Sequence, residues 1–83
     1  MITPINEPVK VGVVFGNGRK IRPVWFKWQG KQHRIQSITY TWTSRRGRAV
    51  LYHFYVTDGA NLYELCYNTE TFVWELAQVE VEG

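Results

Sequence analysis

The sequence predicts an all-β fold, a small antiparallel meander of five to six strands, strongly bent or closed into a barrel-like fold. Three observations predict it. Short runs rich in β-branched and aromatic residues recur between turn signals at Gly16–Gly18, Gln29-Gly30, Asp58-Gly59 and Asn68–Thr71. No stretch sustains a helical period beyond a few residues. The chain has 83 residues, 45% hydrophobic and 16% aromatic, enough for one core and too few for two. Residues 1–83 therefore read as a single β domain.

Residues 1–8, with Pro4, Asn6 and Pro8, read as an irregular lead-in. Val9 to Phe15 is β-branched and strand-like, and Gly16–Gly18 supplies residues tolerant of positive φ for a hairpin. Val24 to Trp28 alternates, with Val24, Phe26 and Trp28 on the core face and Trp25 and Lys27 on the other. Pro23 cannot donate to a ladder, so it belongs at a strand start, an edge or a bulge. Beyond the Gln29-Gly30 turn, Lys31 to Thr43 is the longest strand candidate. Its alternation slips, and a one-residue bulge near Gln36-Ser37 returns His33, Ile35, Ile38, Tyr40 and Trp42 to one face. Ser44 to Gly47 reads as an exposed loop. Val50 to Val56, Leu62 to Tyr67 and Phe72 to Val81 complete the set. Gly12, Gly30 and the bulge are the expected bending points.

Composition narrows the function classes. Cys66 is the only cysteine, so no disulfide forms within the chain and a reducing compartment is expected. No leader or apolar run of membrane-spanning length is present, which points to a cytoplasmic protein with no membrane partner. One cysteine and two histidines without paired spacing predict no metal site, and no cofactor is expected. The nucleophile and base candidates, Cys66, Ser37, Ser44, His33 and His53, form no recognisable constellation in the sequence, so no enzyme is expected. The glycine-rich Phe15–Lys20 stretch leads into a strand rather than a helix, which excludes a phosphate-cradling loop of the helix-terminus kind.

Charge is divided sharply. All ten Lys and Arg lie within residues 1–49, where Glu7 is the only acid, while residues 50–83 carry six acids and no Lys or Arg. Such asymmetry marks a surface for a polyanion, unless basic strands pair with acidic ones. A β surface combining aromatic platforms with cations binds single-stranded nucleic acid. The candidate residues are Trp25, Lys27, Arg34, His53 and Tyr55 on one face, with Arg45, Arg46 and Arg48 in a nearby basic loop. The competing reading has Ile2 and Ile5 of the lead-in covering Trp25, Leu51 and Tyr55. The function expected is a non-enzymatic protein-interaction module, an exposed strand edge accepting a partner's segment being the simplest route. The alternative is a nucleic-acid-binding accessory domain.

The stretches Phe26–Ile35, Tyr55–Asn68 and Phe72–Val81 resemble a bacterial family of small β domains of unknown function. Its members occur alone or beside proteins resembling Y-family DNA polymerases. The resemblance covers Val24 to Val81 and rests on Phe26-x-Trp28-x-Gly30, on Tyr63-Glu64-Leu65 and on Trp74, with His33 standing where the family carries an aromatic such as Tyr. It implies a compact β fold and company with lesion-bypass polymerases, and it transfers no catalytic residue.

Overall fold

A computed structural model describes residues 1–17 and 20–81. The described chain is all β and antiparallel, with more strands than the sequence predicts. Eight strands run in chain order: β1 (Ile2–Pro8), β2 (Lys10–Phe15), β3 (Ile21–Trp28), β4 (Lys31–Arg34), β5 (Ser37–Arg46), β6 (Ala49–Thr57), β7 (Asn61–Asn68) and β8 (Val73–Val81). They form a five-stranded sheet, ordered β1-β8-β7-β6-β5, and a three-stranded sheet, ordered β2-β3-β4. Neither sheet closes on itself, so the molecule is two sheets packed on each other rather than a barrel.

Three corrections explain the difference. Residues 1–8 are not an irregular lead-in. They form β1, paired with β8 through Ile2↔Glu80 and Pro8↔Glu75 and broken between Pro4 and Glu7, where Asn6 has φ 55°. An edge strand tolerates prolines because one side of its backbone bonds to nothing. Second, the irregularity near Gln36 is not a bulge in one strand but a change of sheet. β4 ends in the small sheet, Gln36 N–H bonds Thr57 O at 2.7 Å, and β5 begins in the large one. The true bulge of β5 falls at Thr39, between the pairs Ile38↔Val56 and Tyr40↔Tyr55. It turns Tyr40 and Trp42 away from the core face that Ile38 occupies. Third, Ser44 to Gly47 is not a loop. β5 continues to Arg46 and turns tightly at Gly47-Arg48, with Gly47 at φ 61°.

The predicted turns are present. Gln29 and Gly30 both take positive φ, 53° and 73°, as a two-residue hairpin turn requires. Asp58 Oδ1 accepts the Ala60 and Asn61 amides at 2.9 Å, and Asn68 Oδ1 caps Glu70 and Thr71. Gly16 N–H bonds Lys20 O across the β2–β3 connection, while Gly18 and Arg19 lie outside the described residues. Pro23 sits at a bulge in the central strand of the small sheet. Gly12 pairs with Trp25 and Val13 with Pro23, leaving Val24 over.

The core lies between the sheets. Phe26 is its contribution from the small sheet, fully buried against Phe54, Val56, Tyr63, Leu65, Leu76 and Val79 of the large one. Trp28 is half-buried beside it, with its Nε1 enclosed and unpaired. Ile5 joins this core from β1 and Ile2 is exposed, so neither covers Leu51 or Tyr55 as a lid. Tyr63 ties the layers together. Its ring meets Phe26 edge-on at 4.9 Å, and its hydroxyl donates to Asp58 Oδ2 at 2.8 Å. His33, stacked on Phe26 at 4.8 Å, reaches the same carboxylate at 3.4 Å. Burial alone pushes the Asp58 carboxyl up. The Asn61 and Ala60 amides, the Tyr63 hydroxyl and His33 outweigh it and hold the group down at about 2.

Candidate functional site

The residues expected to form one basic, aromatic surface are divided by the two-layer fold. Trp25, Lys27 and Arg34 stand on the outer side of the small sheet, where Trp25 pairs with Arg34 across β3–β4. Trp25 is half-buried rather than free to stack. Its indole lies over Gly12, the one position on β2 where any side chain would collide with it. Lys27 and Arg34 are exposed. His53 and Tyr55 lie on the opposite side of the molecule, on the outer side of the large sheet, because each neighbours a core residue of β6 in the alternation. Tyr55 is engaged there, its hydroxyl accepting from Gln78 Nε2 at 2.7 Å.

The arginine trio also separates. Arg46 follows Trp42 and Ser44 on the outer side of β5. Arg45 follows Thr41 and Thr43 on the side facing the small sheet, and Arg48 is in the turn. The basic strands do not pair with the acidic ones. All ten Lys and Arg fall between Pro8 and Thr57, a stretch without a single carboxylate. The acidic strands β7 and β8 pair with each other, with neutral β6 and with β1. Among the described residues the close side-chain contacts to carboxylates come from the histidine rings, His33 to Asp58 at 3.4 Å and His53 to Glu64 at 3.1 Å. No Lys or Arg among the described residues has a carboxylate partner.

Two features remain open on this basic side. The first is the outer edge of β5. It is ten residues long, contains no proline and has only β6 as a neighbour. The other edge of the large sheet is interrupted by Pro4, Asn6 and Pro8. The second is a groove of about 700 Å³ along the inner side of β5. Ile38, Thr41, Thr43, Tyr52 and Phe54 form one wall; Val14, Ile21, Lys20 and Arg22 at the end of the β2–β3 hairpin form the other. The groove is largely apolar inside and basic at its rim.

A third arrangement lies on the outer side of the large sheet, and it corrects the expectation that the nucleophile and base candidates form no constellation. Ser44 Oγ is 2.7 Å from His53 Nε2, and His53 Nδ1 is 3.1 Å from Glu64 Oε2. The Trp42 ring lies parallel to the His53 ring at 4.7 Å. Reading Ser44 to Gly47 as a loop hid this. A two-residue turn at Gly47-Arg48 sets Trp42 opposite His53 and Ser44 diagonal to it, and the next hairpin brings Glu64 alongside. Glu64 was legible only through that register. Compared with known families, curated proteins and solved structures, the chain matches none.

Proposed function

We propose that the protein is an interaction module that takes up an extended, acidic segment of a protein partner along the free edge of β5. The observation that carries this reading is the open edge itself, Ser37 to Arg46, flanked by an apolar groove. An added strand hydrogen-bonds to an exposed edge through its backbone, and its alternate side chains enter whatever pocket runs alongside. Here alternate apolar side chains would enter between Ile38 and Val14. Acidic ones would meet Lys20, Arg22 and Arg45, which lack carboxylate partners within the described chain. A second copy is a poorer occupant, since the same uncompensated positive charge would face itself. A partner from the company of polymerase-like proteins is the one that the resemblance of Val24 to Val81 to small β domains supports.

The division of Trp25, Lys27 and Arg34 from His53 and Tyr55 weighs against the nucleic-acid alternative, which needs platforms and cations on one face. The test uses a labelled peptide of alternating Val and Glu, titrated with the protein at low and physiological salt. Binding is expected, weakening with salt, and the double change Lys20→Glu with Arg22→Glu should reduce affinity by about twofold to thirtyfold, as loss of two exposed charge contacts of ~0.2–1 kcal/mol each implies. No binding of the peptide, together with salt-dependent binding of single-stranded DNA that Lys27→Ala and Arg34→Ala weaken, would replace this reading with the nucleic-acid one.

A further inference from the structure

We propose that Ser44, His53 and Glu64 form an acyl-transfer site, with Ser44 as nucleophile and a short-chain ester or thioester as substrate. The argument starts from hydrogen-bond polarity. A carboxylate only accepts, so the proton between His53 and Glu64 sits on His53 Nδ1. His53 Nε2 then offers its lone pair, and the Ser44 hydroxyl donates to it at 2.7 Å. The nucleophile, the base and the group that orients the base stand in one line, which is the relation a serine nucleophile needs. The Trp42 ring, parallel to His53 at 4.7 Å, fixes the imidazole plane and shields one of its faces. His53 and Glu64 side chains retain only 12% and 14% exposure, whereas Ser44 is open to a substrate.

A seat for the acyl group adjoins this line. A hollow of about 190 Å³ lies on the same side of the sheet, lined among others by Leu51, Cys66 and Arg46. Leu51 is the cross-strand partner of Ser44, and Cys66 that of His53. The hollow is small, which suits a short acyl chain. Arg46 follows Ser44 by two positions on the same side of β5 and brings positive charge to the oxyanion of the tetrahedral intermediate. Cys66 is a weaker competitor for the role of nucleophile. Burial, then Glu75 and Glu64, push its thiol up against the opposing pull of Arg46, so it stays protonated.

The step balances without a redox partner. Ser44 Oγ bonds to the acyl carbon while its proton passes to His53 Nε2. The bond from the acyl carbon to the leaving oxygen or sulfur breaks, and His53 returns the proton to that atom. Water, deprotonated by His53, then cleaves the acyl-serine and restores Ser44. Glu64 acts as a positioning residue.

The experiment incubates the full-length protein with p-nitrophenyl acetate, follows nitrophenolate release and maps the acetyl group by peptide mass. The acetyl group is expected on Ser44. Ser44→Ala should abolish the release above that of free imidazole, and His53→Gln should slow acylation about 100-fold or more. In Cys66→Ser the acetyl group should still be found on Ser44. ¹⁵N NMR of the His53 ring should show the Nδ1–H tautomer, lost in Glu64→Leu. Acetylation confined to lysines or Cys66, release unchanged by Ser44→Ala, or a tautomer indifferent to Glu64→Leu would overturn the proposal.

Discussion

Asp58 shows how one side chain joins the two layers. It begins the β6–β7 turn through two backbone amides and also receives Tyr63 from the core, with His33 of the small sheet beside it. Turn chemistry was legible at Asp58-Gly59, but the inter-sheet tie was not, because Tyr63 and His33 reach Asp58 only once the sheets stack. A carboxyl depressed in the fold from 3.8 to about 2 contributes stability that is complete above its unfolded value and lost as pH falls through the folded one. The urea midpoint should therefore drop between about pH 4 and pH 2. Asp58→Asn should begin about 2 kcal/mol less stable, having lost charge-assisted hydrogen bonds, and should show less of that acid sensitivity. Urea unfolding across that pH range checks both. At the same scale, Gly12 and Trp25 form a matched pair. Gly12→Ala displaces the indole, so it should destabilise and also shift Trp25 fluorescence, whereas Gly30→Asn at a left-handed turn should cost only a few tenths of a kcal/mol. Near-equal losses for the two variants would contradict the seating of Trp25.

At the scale of elements, the face assignment of β3 followed from its alternation and the details did not. Phe26 is fully buried, as is Pro23, while Trp25 and Trp28 are both half-buried. Phe26→Ala should cost about 3–5 kcal/mol. Trp28→Ala and Trp25→Ala should lie closer to each other than alternation alone implies, since one packs on the core and the other on Gly12. Urea unfolding of the three variants measures this order. Strand runs and turn residues are local, so Gln29-Gly30, Asp58-Gly59 and Asn68 could be read directly. The β1–β8 pairing joins the ends of the chain, and its partner strands carry no local signal of each other. The same holds for the change of sheet at Gln36, which alternation registers only as a slip in phase. Misreading Ser44 to Gly47 as a loop had the largest effect. It concealed the last three residues of the open edge and the register that brings Ser44, His53 and Glu64 together.

For the whole molecule, the charge division visible in the sequence becomes a division in space. The nine described cations lie on the small sheet and its β2–β3 connection, on β5 and in the β5–β6 turn, and the described acids other than Glu7 of β1 gather on β7, β8 and their turns. This segregation leaves the longest unobstructed edge on the basic side, next to an apolar groove. Surface cations steer an acidic partner toward the edge, and backbone pairing holds it there. The most direct test is amide hydrogen exchange with and without the alternating Val-Glu peptide. Added protection confined to β5, with chemical-shift changes at Ile38, Thr41 and Thr43 and at Val14 and Ile21 across the groove, is the expected result. Protection unchanged along Ser37–Arg46 while the peptide binds elsewhere would contradict the account.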